Sequence, residues 1–363
     1  MHPTHFTSVL GILFSLFCGL CAGQPDPWAI DQIRSRPILT QQDLQQIDAF
    51  VGAVIMEIVR SGDFSQISKP RALLISKKGN QAQYAQQFGQ SCYRHIKAGL
   101  EQCAELPAQR QFLVRLNLLI LADALQEPTL AELALPYILD PDPVIQYWAV
   151  KVATNRSVVD RIGKGNWPLA GQIIGRITEL VRSPQLEQAL DLTWVAVADL
   201  AAGIGPPGVG LLSDLADRRL EMYAGGHPRI LAQVDIAILK QLAAVINAQK
   251  AREAAVVRRF AQLYSYVIQY LARSFDTNDR TRQALISVVL EVEDKCIAPA
   301  IAGYQFPIRK AIQSGDANAL MAAHDAILGS QAGPGVLASV WVFDYGPDQT
   351  GRVRHWPQQL PAG

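Results

Sequence analysis

The side chains nearest to a catalytic arrangement in this sequence are Cys92 and His95. Three residues apart on a helix, they would share one face, as a thiol nucleophile and its base must. The sequence after them lacks a loop that could supply oxyanion-stabilising amides, so we interpret the pair as structural.

Four histidines follow residue 23, and they are scattered over four segments: His95, His227, His324 and His355. None stands at a metal-ligand spacing such as two histidines one helical turn apart. Asp325 could orient the imidazole of His324, but adjacent residues on a helix point about 100° apart. We expect structural or solvated roles for all four.

Three carboxylates fall within four positions, at Glu291, Glu293 and Asp294. Paired acids can transfer protons or hold a divalent cation. A solvated helix face explains them equally well, and Lys295 beside them dilutes the charge. The sequence therefore predicts no catalytic residue, no metal ligand and no cofactor-binding residue.

Two other segments invite a ligand-binding interpretation. Residues 202–210 contain four glycines but lack the Lys-Ser or Lys-Thr ending of a phosphate-binding loop, so we read them as a connection between helices. A basic stripe, Lys250, Arg252, Arg258 and Arg259, is followed by the tyrosines Tyr264, Tyr266 and Tyr270. Basic residues near aromatic ones can bind single-stranded nucleic acid, but we interpret the stripe as a solvated helix face and the tyrosines as part of the core beneath it.

Composition excludes some classes of function. The 33 basic and 32 acidic residues leave a net charge of +1, so nucleic-acid binding is not indicated. Apolar residues make up 49% and charged residues 18%, which favours a folded core over disorder.

The N-terminus resembles an export signal. An apolar run from Val9 to Cys21 is followed by small residues, which predicts a signal peptide over residues 1–23. An uncleaved anchor or lipidation stays open, because the leading segment has no Lys or Arg. We expect an exported protein, periplasmic or secreted, with no stable membrane span after cleavage.

Cleavage would leave three cysteines: Cys92, Cys103 and Cys296. In one unbroken helix Cys92 and Cys103 would lie roughly 16 Å apart, so a disulfide would need a break, at Gly99 for example. We favour three buried thiols over a bridge.

The apolar positions recur at helical spacing almost everywhere, with Gly, Pro or Asp between the periodic segments. Thr40 and Asp43 predict a capping box for a helix that ends near Ser61. The other helices that we predict outside the middle of the chain span residues 80–103, 107–126, 250–275, 278–297 and 308–329. Residues 336–345 could form a strand or a last buried helix, and the final eighteen residues are expected to be mobile.

Residues 140–153, Asp-Pro-Asp-Pro followed by an apolar helical stripe, resemble the second helix of a HEAT repeat and the turn before it. Pro143 suits the first helical turn, while Ile145, Ala149 and Val152 line one face. HEAT repeats often carry Arg where Gln146 stands, which puts the polar ladder between repeats in doubt. The resemblance is clearest over residues 128–155, and Trp194 repeats the Trp148 position 46 residues later.

The resemblance implies an all-α fold of stacked antiparallel helix pairs, with extra helices at both ends. We predict an N-terminal helical region over 24–127, HEAT-like repeats over 128–250, C-terminal helices over 251–330 and a partly disordered Gly/Pro-rich tail over 331–363. Such arrays usually bind other proteins, so we expect a scaffold or protein-binding module without catalytic activity. The alternative is an enzyme or a carbohydrate-binding protein that uses a groove between helices.

Overall fold

The computed structural model describes residues 27–165, 167–225, 231–248, 253–274, 279–348 and 350–361, apart from the side chain of Phe64. The predicted signal peptide, His227, Lys250 and Arg252 lie outside the described residues. The described chain is helical almost throughout, with one short hairpin of β1 (Gly329–Ser330) and β2 (Gly333–Pro334). The predicted all-α class is confirmed.

The chain divides into two compact units, one up to Leu125 and the other from Gln126 onward. The N-terminal unit contains α1 (Pro27–Ile33), α2 (Gln41–Arg60), α3 (Phe64–Ser76), α4 (Ala82–Cys103) and α5 (Ala108–Leu125).

The start of α2 has the predicted capping box. The Thr40 hydroxyl accepts a hydrogen bond from the Asp43 amide, and the Asp43 carboxylate accepts one from the Thr40 amide. Each group satisfies an amide that the first turn of a helix leaves without a partner. Burial of the apolar stripe from Ile47 to Ile58 then holds α2 against α4.

The helices of the N-terminal unit form two stacked hairpins. Asp48 of α2 accepts a hydrogen bond from Arg94 of α4, and Gly99 one turn further on faces Val59, so the two helices run parallel. In the same way α3 contacts α5, where Arg71 donates to Asn117 at 2.5 Å. Stacked helix packing therefore begins at residue 41, before the segment that the sequence predicted.

The C-terminal unit contains thirteen helices among its described residues: α6 (Ala131–Ala134), α7 (Pro143–Ala153), α8 (Arg156–Gly163), α9 (Pro168–Arg182), α10 (Gln185–Gln188), α11 (Asp191–Gly203), α12 (Gly208–Ala224), α13 (Ala232–Ala248), α14 (Ala254–Arg273), α15 (Arg280–Val292), α16 (Pro307–Ser314), α17 (Ala317–Leu328) and α18 (Val336–Trp341). Short 3-10 segments span Pro128–Leu130, Leu135–Tyr137 and Ala298–Ala300, and a π-helical turn spans Glu293–Ile297.

These helices pack in two layers. In the first layer α6 contacts α9, α9 contacts α12, α12 contacts α14 and α14 contacts α17. In the second layer α7 contacts α11, α11 contacts α13 and α13 contacts α15. The chain passes from one layer to the other with each long helix from α11 to α15, so every pair buries its apolar side against its neighbours.

The turn before α7 folds as its residues indicate. The Asp142 carboxylate accepts hydrogen bonds from the amides of Val144 and Ile145, and Pro143 is the first helical residue. Gln146 is buried and donates back to the Asp140 carbonyl oxygen at 3.4 Å rather than to another helix pair.

Several predicted boundaries were wrong. The helix expected over 308–329 is broken because Gly315 adopts φ +72° and Asp316 caps a new helix. Residues 130–139, which the HEAT resemblance predicts as the first helix of the repeat, are split into short 3-10 and α-helical pieces around Pro136, whose ring cannot continue a helix. The helices α1 and α3 were not predicted.

Residues 343–348 and 350–361, which we call the C-terminal segment, lie against α14. The amides of Gln358 and Leu360 donate to the side chains of Gln262 and Gln269, at 2.8 and 2.6 Å. The sequence predicted a mobile tail here, whereas these hydrogen bonds attach it to the longest helix of the unit. Within the described ranges, no helix combines the length and apolar character needed to cross a bilayer.

Candidate functional site

The described histidines and cysteines that the sequence singled out lie in different surroundings. His95 Nε2 lies 3.1 Å from Asp48 Oδ1, and its ring packs on Gly52, where a Cβ atom would lie 2.8 Å from the ring. His355 is exposed. Cys92, Cys103 and Cys296 are all buried, and the first two lie on the same helix, α4.

The three neighbouring carboxylates point to different partners. Glu291 accepts from Lys240 and Lys295 at 2.7 and 2.8 Å, which lowers its pKa. Glu293 is fully buried and Asp294 lies 3.7 Å from Arg309. They do not converge, and no His, Cys, Asp or Glu cluster in the described part of the chain could hold a metal ion.

The glycine-containing stretch connects α11 and α12, as predicted. A Cβ atom on Gly208 would lie 2.0 Å from the Ala201 carbonyl oxygen, so the absence of a side chain allows the chain to turn tightly between the two helices.

His324 forms a row with Ser265 and Asp325, in which His324 and Ser265 are buried and the Asp325 side chain is 43% exposed. Its Nε2 lies 2.7 Å from Ser265 Oγ and its Nδ1 lies 2.8 Å from Asp325 Oδ1. Burial lowers the pKa of His324, despite the opposing effect of Asp325. The order of groups is that of a hydrolase triad, but Ser265 is inaccessible to solvent and its Oγ accepts a hydrogen bond from Gln269. The side chain of Gln269 also accepts a hydrogen bond from the Leu360 amide, so Gln269 links Ser265 to the C-terminal segment.

A cavity of about 450 Å³ opens between α12, α14 and the C-terminal segment. Its charged lining consists of Asp217 and Glu221 from α12, Arg258 and Arg259 from α14, and Arg354. We call this cavity the arginine cleft. It lies wholly within the C-terminal unit and meets the size range of small-molecule sites.

Two of the three arginines are held by carboxylates. Arg259 donates from Nε and Nη2 to both oxygens of Asp217, at 2.7 and 2.8 Å. These hydrogen bonds raise the pKa of Arg259 above its ordinary value. Arg258 donates to the carbonyl oxygen and to Oδ1 of Asp344, at 2.8 and 2.7 Å. The paired geometry fixes both guanidinium groups at the rim.

Arg354 and Tyr266 differ from these pairs. Nη2 of Arg354 donates to the Tyr345 carbonyl oxygen at 2.9 Å, while its buried Nε has no acceptor among the described residues. Tyr266 is 1% exposed, and its hydroxyl likewise has no partner in the described ranges. Burial raises the pKa of Tyr266 to about 12, against the opposing effect of the Arg354 charge. The cleft thus carries two buried donors without acceptors.

A buried ion pair supports the wall of the cleft. Arg219 of α12 donates from Nε and Nη2 to both oxygens of Asp235, at 2.8 and 2.9 Å, and both side chains are fully buried. The Tyr223 hydroxyl donates to Asp235 at 2.7 Å, and the Tyr223 ring stacks on Tyr266 at 5.1 Å. Tyr266 is therefore positioned by packing and not by its hydroxyl.

A second, smaller cavity of about 310 Å³ lies at one end of the second layer. It is lined by the N-terminal residues of three helices, with Asp191 and Leu192 from α11, Ala232 from α13 and Arg280 from α15. These three helices therefore run parallel and begin at the same level.

No family model, no curated protein and no solved structure matches this chain. The functional interpretation therefore follows from the geometry of the chain itself.

The sequence indicated part of the arginine cleft. Arg258 and Arg259 belong to the basic stripe that we interpreted as a solvated face, yet both are only half exposed or less and line a cavity. Tyr266 was assigned to the core beneath that face, and it is buried. Arg354 gave no signal, because it lies far along the chain in a segment expected to be mobile.

Proposed function

We propose that this protein is a HEAT-like helical-repeat module that binds another protein and has no catalytic activity. The observation that carries the proposal is the in-register start of α11, α13 and α15 around one cavity. Parallel helices stacked at one level, each paired with a helix of the other layer, are the arrangement of a repeat array.

The spacing of the helices supports the same assignment. The second-layer helices begin at Pro143, Asp191, Ala232 and Arg280, roughly 40 to 50 residues apart, which is the repeat length of the HEAT and armadillo class. The two tryptophans are less regular, since Trp194 is fully buried while Trp148 is half-buried beside Lys151. The repeats are therefore degenerate in sequence and share mainly their packing.

The absence of catalytic activity is supported by the partners of the reactive side chains. Ser265 and His324 are fully buried, and the buried Glu293 accepts three hydrogen bonds from its surroundings. The thiols are buried as well. Groups engaged in this way are held as parts of the fold and not presented to a substrate.

Leu192 offers a position at which protein binding can be tested. It is 56% exposed in the first turn of α11 and lines the same cavity as Asp191 and Arg280. An exposed apolar side chain can be buried against a partner, and its substitution measures that contribution.

To test the proposal, the protein would be immobilised and exposed to the proteins of the source cells, and retained proteins identified by mass spectrometry. Leu192→Ser would be compared with Val342→Ser, which removes a more exposed apolar side chain elsewhere, 82% exposed against 56%. We expect one or a few partners to bind wild type and Val342→Ser, and Leu192→Ser to bind them about tenfold more weakly. Retention of no protein above a helical control, or equal retention by both variants, would contradict the proposal.

We also propose that the chain is exported, periplasmic or secreted, by its N-terminal apolar segment. Intact-mass measurement of the protein from the source cells should give a chain beginning at Gln24, found in the exported fraction. A full-length chain in the cytosolic fraction would overturn this assignment.

A further inference from the structure

We propose that two copies of this chain exchange their C-terminal segments and so form a dimer, with Val342 as the hinge. In the exchanged dimer, each segment lies against α14 and α17 of the other copy and makes there the contacts that it makes here within one chain. This assembly is separate from the proposed protein-binding function and is argued from different residues.

The backbone at the proposed hinge is strained. Val342 directly follows α18 and has φ +52° and ψ +65°, in the left-handed region. Among the described residues other than glycine, three have positive φ, and Val342 is the only β-branched one of them. This conformation is an outlier for a β-branched residue, because Cβ comes too close to the following carbonyl oxygen. An extended conformation at Val342 would relieve the strain and would direct the segment away from its present position.

The hinge is exposed and lies between two anchored parts of the chain. Val342 is 82% exposed, whereas Trp341 before it and Phe343 after it are both buried. The Trp341 ring lies 5.7 Å from the Phe260 ring of α14, which holds α18 to its own chain. Exchange breaks the hydrogen bond from the Phe343 amide to the Ala338 carbonyl oxygen, but that oxygen also accepts from the Val342 amide and so keeps one partner.

The C-terminal segment holds its own turn. The Tyr345 amide donates to the Arg354 carbonyl oxygen and the Arg354 amide donates to the Gly346 carbonyl oxygen, at 2.9 and 2.8 Å. Further out, the Asp348 amide donates to the Arg352 carbonyl oxygen at 2.7 Å. These hydrogen bonds lie within the segment, so they are the same whichever copy the segment binds.

The surface that receives the segment binds it through specific contacts. Oε1 of Gln262 accepts from the Gln358 amide, and Nε2 of Gln262 donates to the Gln358 carbonyl oxygen, at 2.8 and 3.1 Å. Arg258 donates to Asp344 at 2.7 Å, and the Leu360 side chain is buried. All the receiving residues precede the hinge and all the bound residues follow it, so a second copy can supply the same contacts.

The tether and the strain oppose each other. A segment joined to its own binding surface by a short linker has an effective concentration in the mM range, which favours the monomer. Strain at one left-handed residue lowers this advantage about tenfold, and each dimer relieves two such residues. We therefore expect the dimer to have a dissociation constant on the order of 10 µM.

Analytical ultracentrifugation of the whole protein over a range of concentrations measures the dimer. Glycine and asparagine adopt the left-handed region more readily than valine, so Val342→Gly and Val342→Asn relieve the strain in the monomer. We expect both variants to dimerise at least about tenfold more weakly than wild type. Val342→Thr is the matched control, because threonine is polar but keeps the β-branched shape, and it should dimerise like wild type.

A pair of charge reversals reports the exchange itself. Arg258→Asp and Asp344→Arg each place like charges at the contact between α14 and the segment. When the two variants are mixed, opposite charges meet at both contacts of a heterodimer, and they do so only if the segments are exchanged. Native mass spectrometry separates the heterodimer from the homodimers by mass, and we expect the heterodimer to exceed its statistical share. Thermal unfolding of each variant checks that it is folded.

Four results would overturn the proposal. They are a wild type that stays monomeric at about 100 µM, dimerisation of Val342→Gly or Val342→Asn as tight as that of wild type, dimerisation of Val342→Thr as weak as that of Val342→Asn, and a mixture of the charge variants without excess heterodimer. The third result would assign the dimer to an apolar contact of Val342. The protein-partner assay with Leu192→Ser measures a contact of α11, so the two proposals can fail separately.

Discussion

The Glu293 side chain caps the N-terminus of α16 from outside that helix. Phe306, the residue before α16, has no side-chain acceptor and adopts φ +52°, in the left-handed region. The Glu293 carboxylate instead accepts from the amides of Ile308 and Arg309 and from the Tyr304 hydroxyl, each at 3.0 Å. A fully buried carboxyl group thus supplies the acceptors that the first turn of α16 lacks.

Replacement of this carboxyl should destabilise the protein in a pH-dependent way. Burial raises the pKa of Glu293 above its ordinary value of 4.5, although its three hydrogen bonds oppose the shift. The folded state therefore binds this proton more tightly than the unfolded chain, so the stabilisation is fully present below pH 4.5 and is lost as the pH rises through the folded pKa. We expect Glu293→Gln to cost about 2 kcal/mol at pH 4.5 and less at pH 7.

Urea denaturation of both proteins between pH 4.5 and 7 measures this effect. A difference in unfolding free energy that stays constant or grows as the pH rises would contradict the assignment of the raised pKa.

Arg219 and Asp235 form a fully buried ion pair, and we expect removal of one charge to cost more stability than removal of both. Asp235→Ala leaves a buried guanidinium without its partner, which should cost about 3 to 5 kcal/mol. The double variant Arg219→Met with Asp235→Leu removes both charges and should be less destabilising than Asp235→Ala alone. Guanidinium chloride denaturation gives the free energy of unfolding of both variants. A double variant that is less stable than Asp235→Ala would contradict this expectation.

The connection between α11 and α12 provides a matched pair of glycines. A Cβ atom at Gly208 would overlap the Ala201 carbonyl oxygen, whereas one at Gly210 meets nothing within 4 Å. We expect Gly208→Ala to lower the unfolding free energy by about 2 kcal/mol or more, because the turn must open. Gly210→Ala should raise it by about 0.5 to 1 kcal/mol through helix propensity. Thermal unfolding compares the two, and equal melting temperatures would show that the turn relaxes without cost.

The elements predicted correctly from the sequence are those determined by nearby residues. The capping box of α2 and the Asp-Pro start of α7 depend on side chains within a few positions of the amides that they bind. The C-terminal segment could not be predicted in this way. Its hydrogen bonds join Gln358 to Gln262, 96 residues away, and no residue pattern near Gln358 indicates that contact.

The arginine cleft escaped prediction for the same reason. A periodic stripe reveals which residues share a helix face, and it placed Arg258 and Arg259 correctly on α14. It does not reveal that Arg354 returns to that face, nor that Asp217 and Asp344 pair with the arginines. Without those contacts the stripe looks like a solvated surface.

Because the helix pairs are stacked, the stability of each helix should depend on the helices next to it in its layer. Because α13 lies between α11 and α15 in the second layer, a cavity at the buried Ile238 should loosen the helices on both sides. We expect Ile238→Ala to cost about 2 to 4 kcal/mol and to speed hydrogen exchange in α11, α13 and α15.

Leu320→Ala in α17 is the control, since α17 contacts α14, α16 and α18 instead. Hydrogen-exchange mass spectrometry of both variants should therefore give different patterns. The same pattern in both would mean that the C-terminal unit opens only as a whole.

The three buried thiols act as internal reporters of opening. Cys92 and Cys103 lie in the N-terminal unit and Cys296 in the C-terminal unit. Because a thiol enclosed by packed side chains is shielded from alkylating reagents, each can be labelled only when its own surroundings unfold. Peptide mapping after timed exposure to iodoacetamide would thus give a separate alkylation rate for the cysteines of each unit, and so a separate opening rate, with no engineered probe.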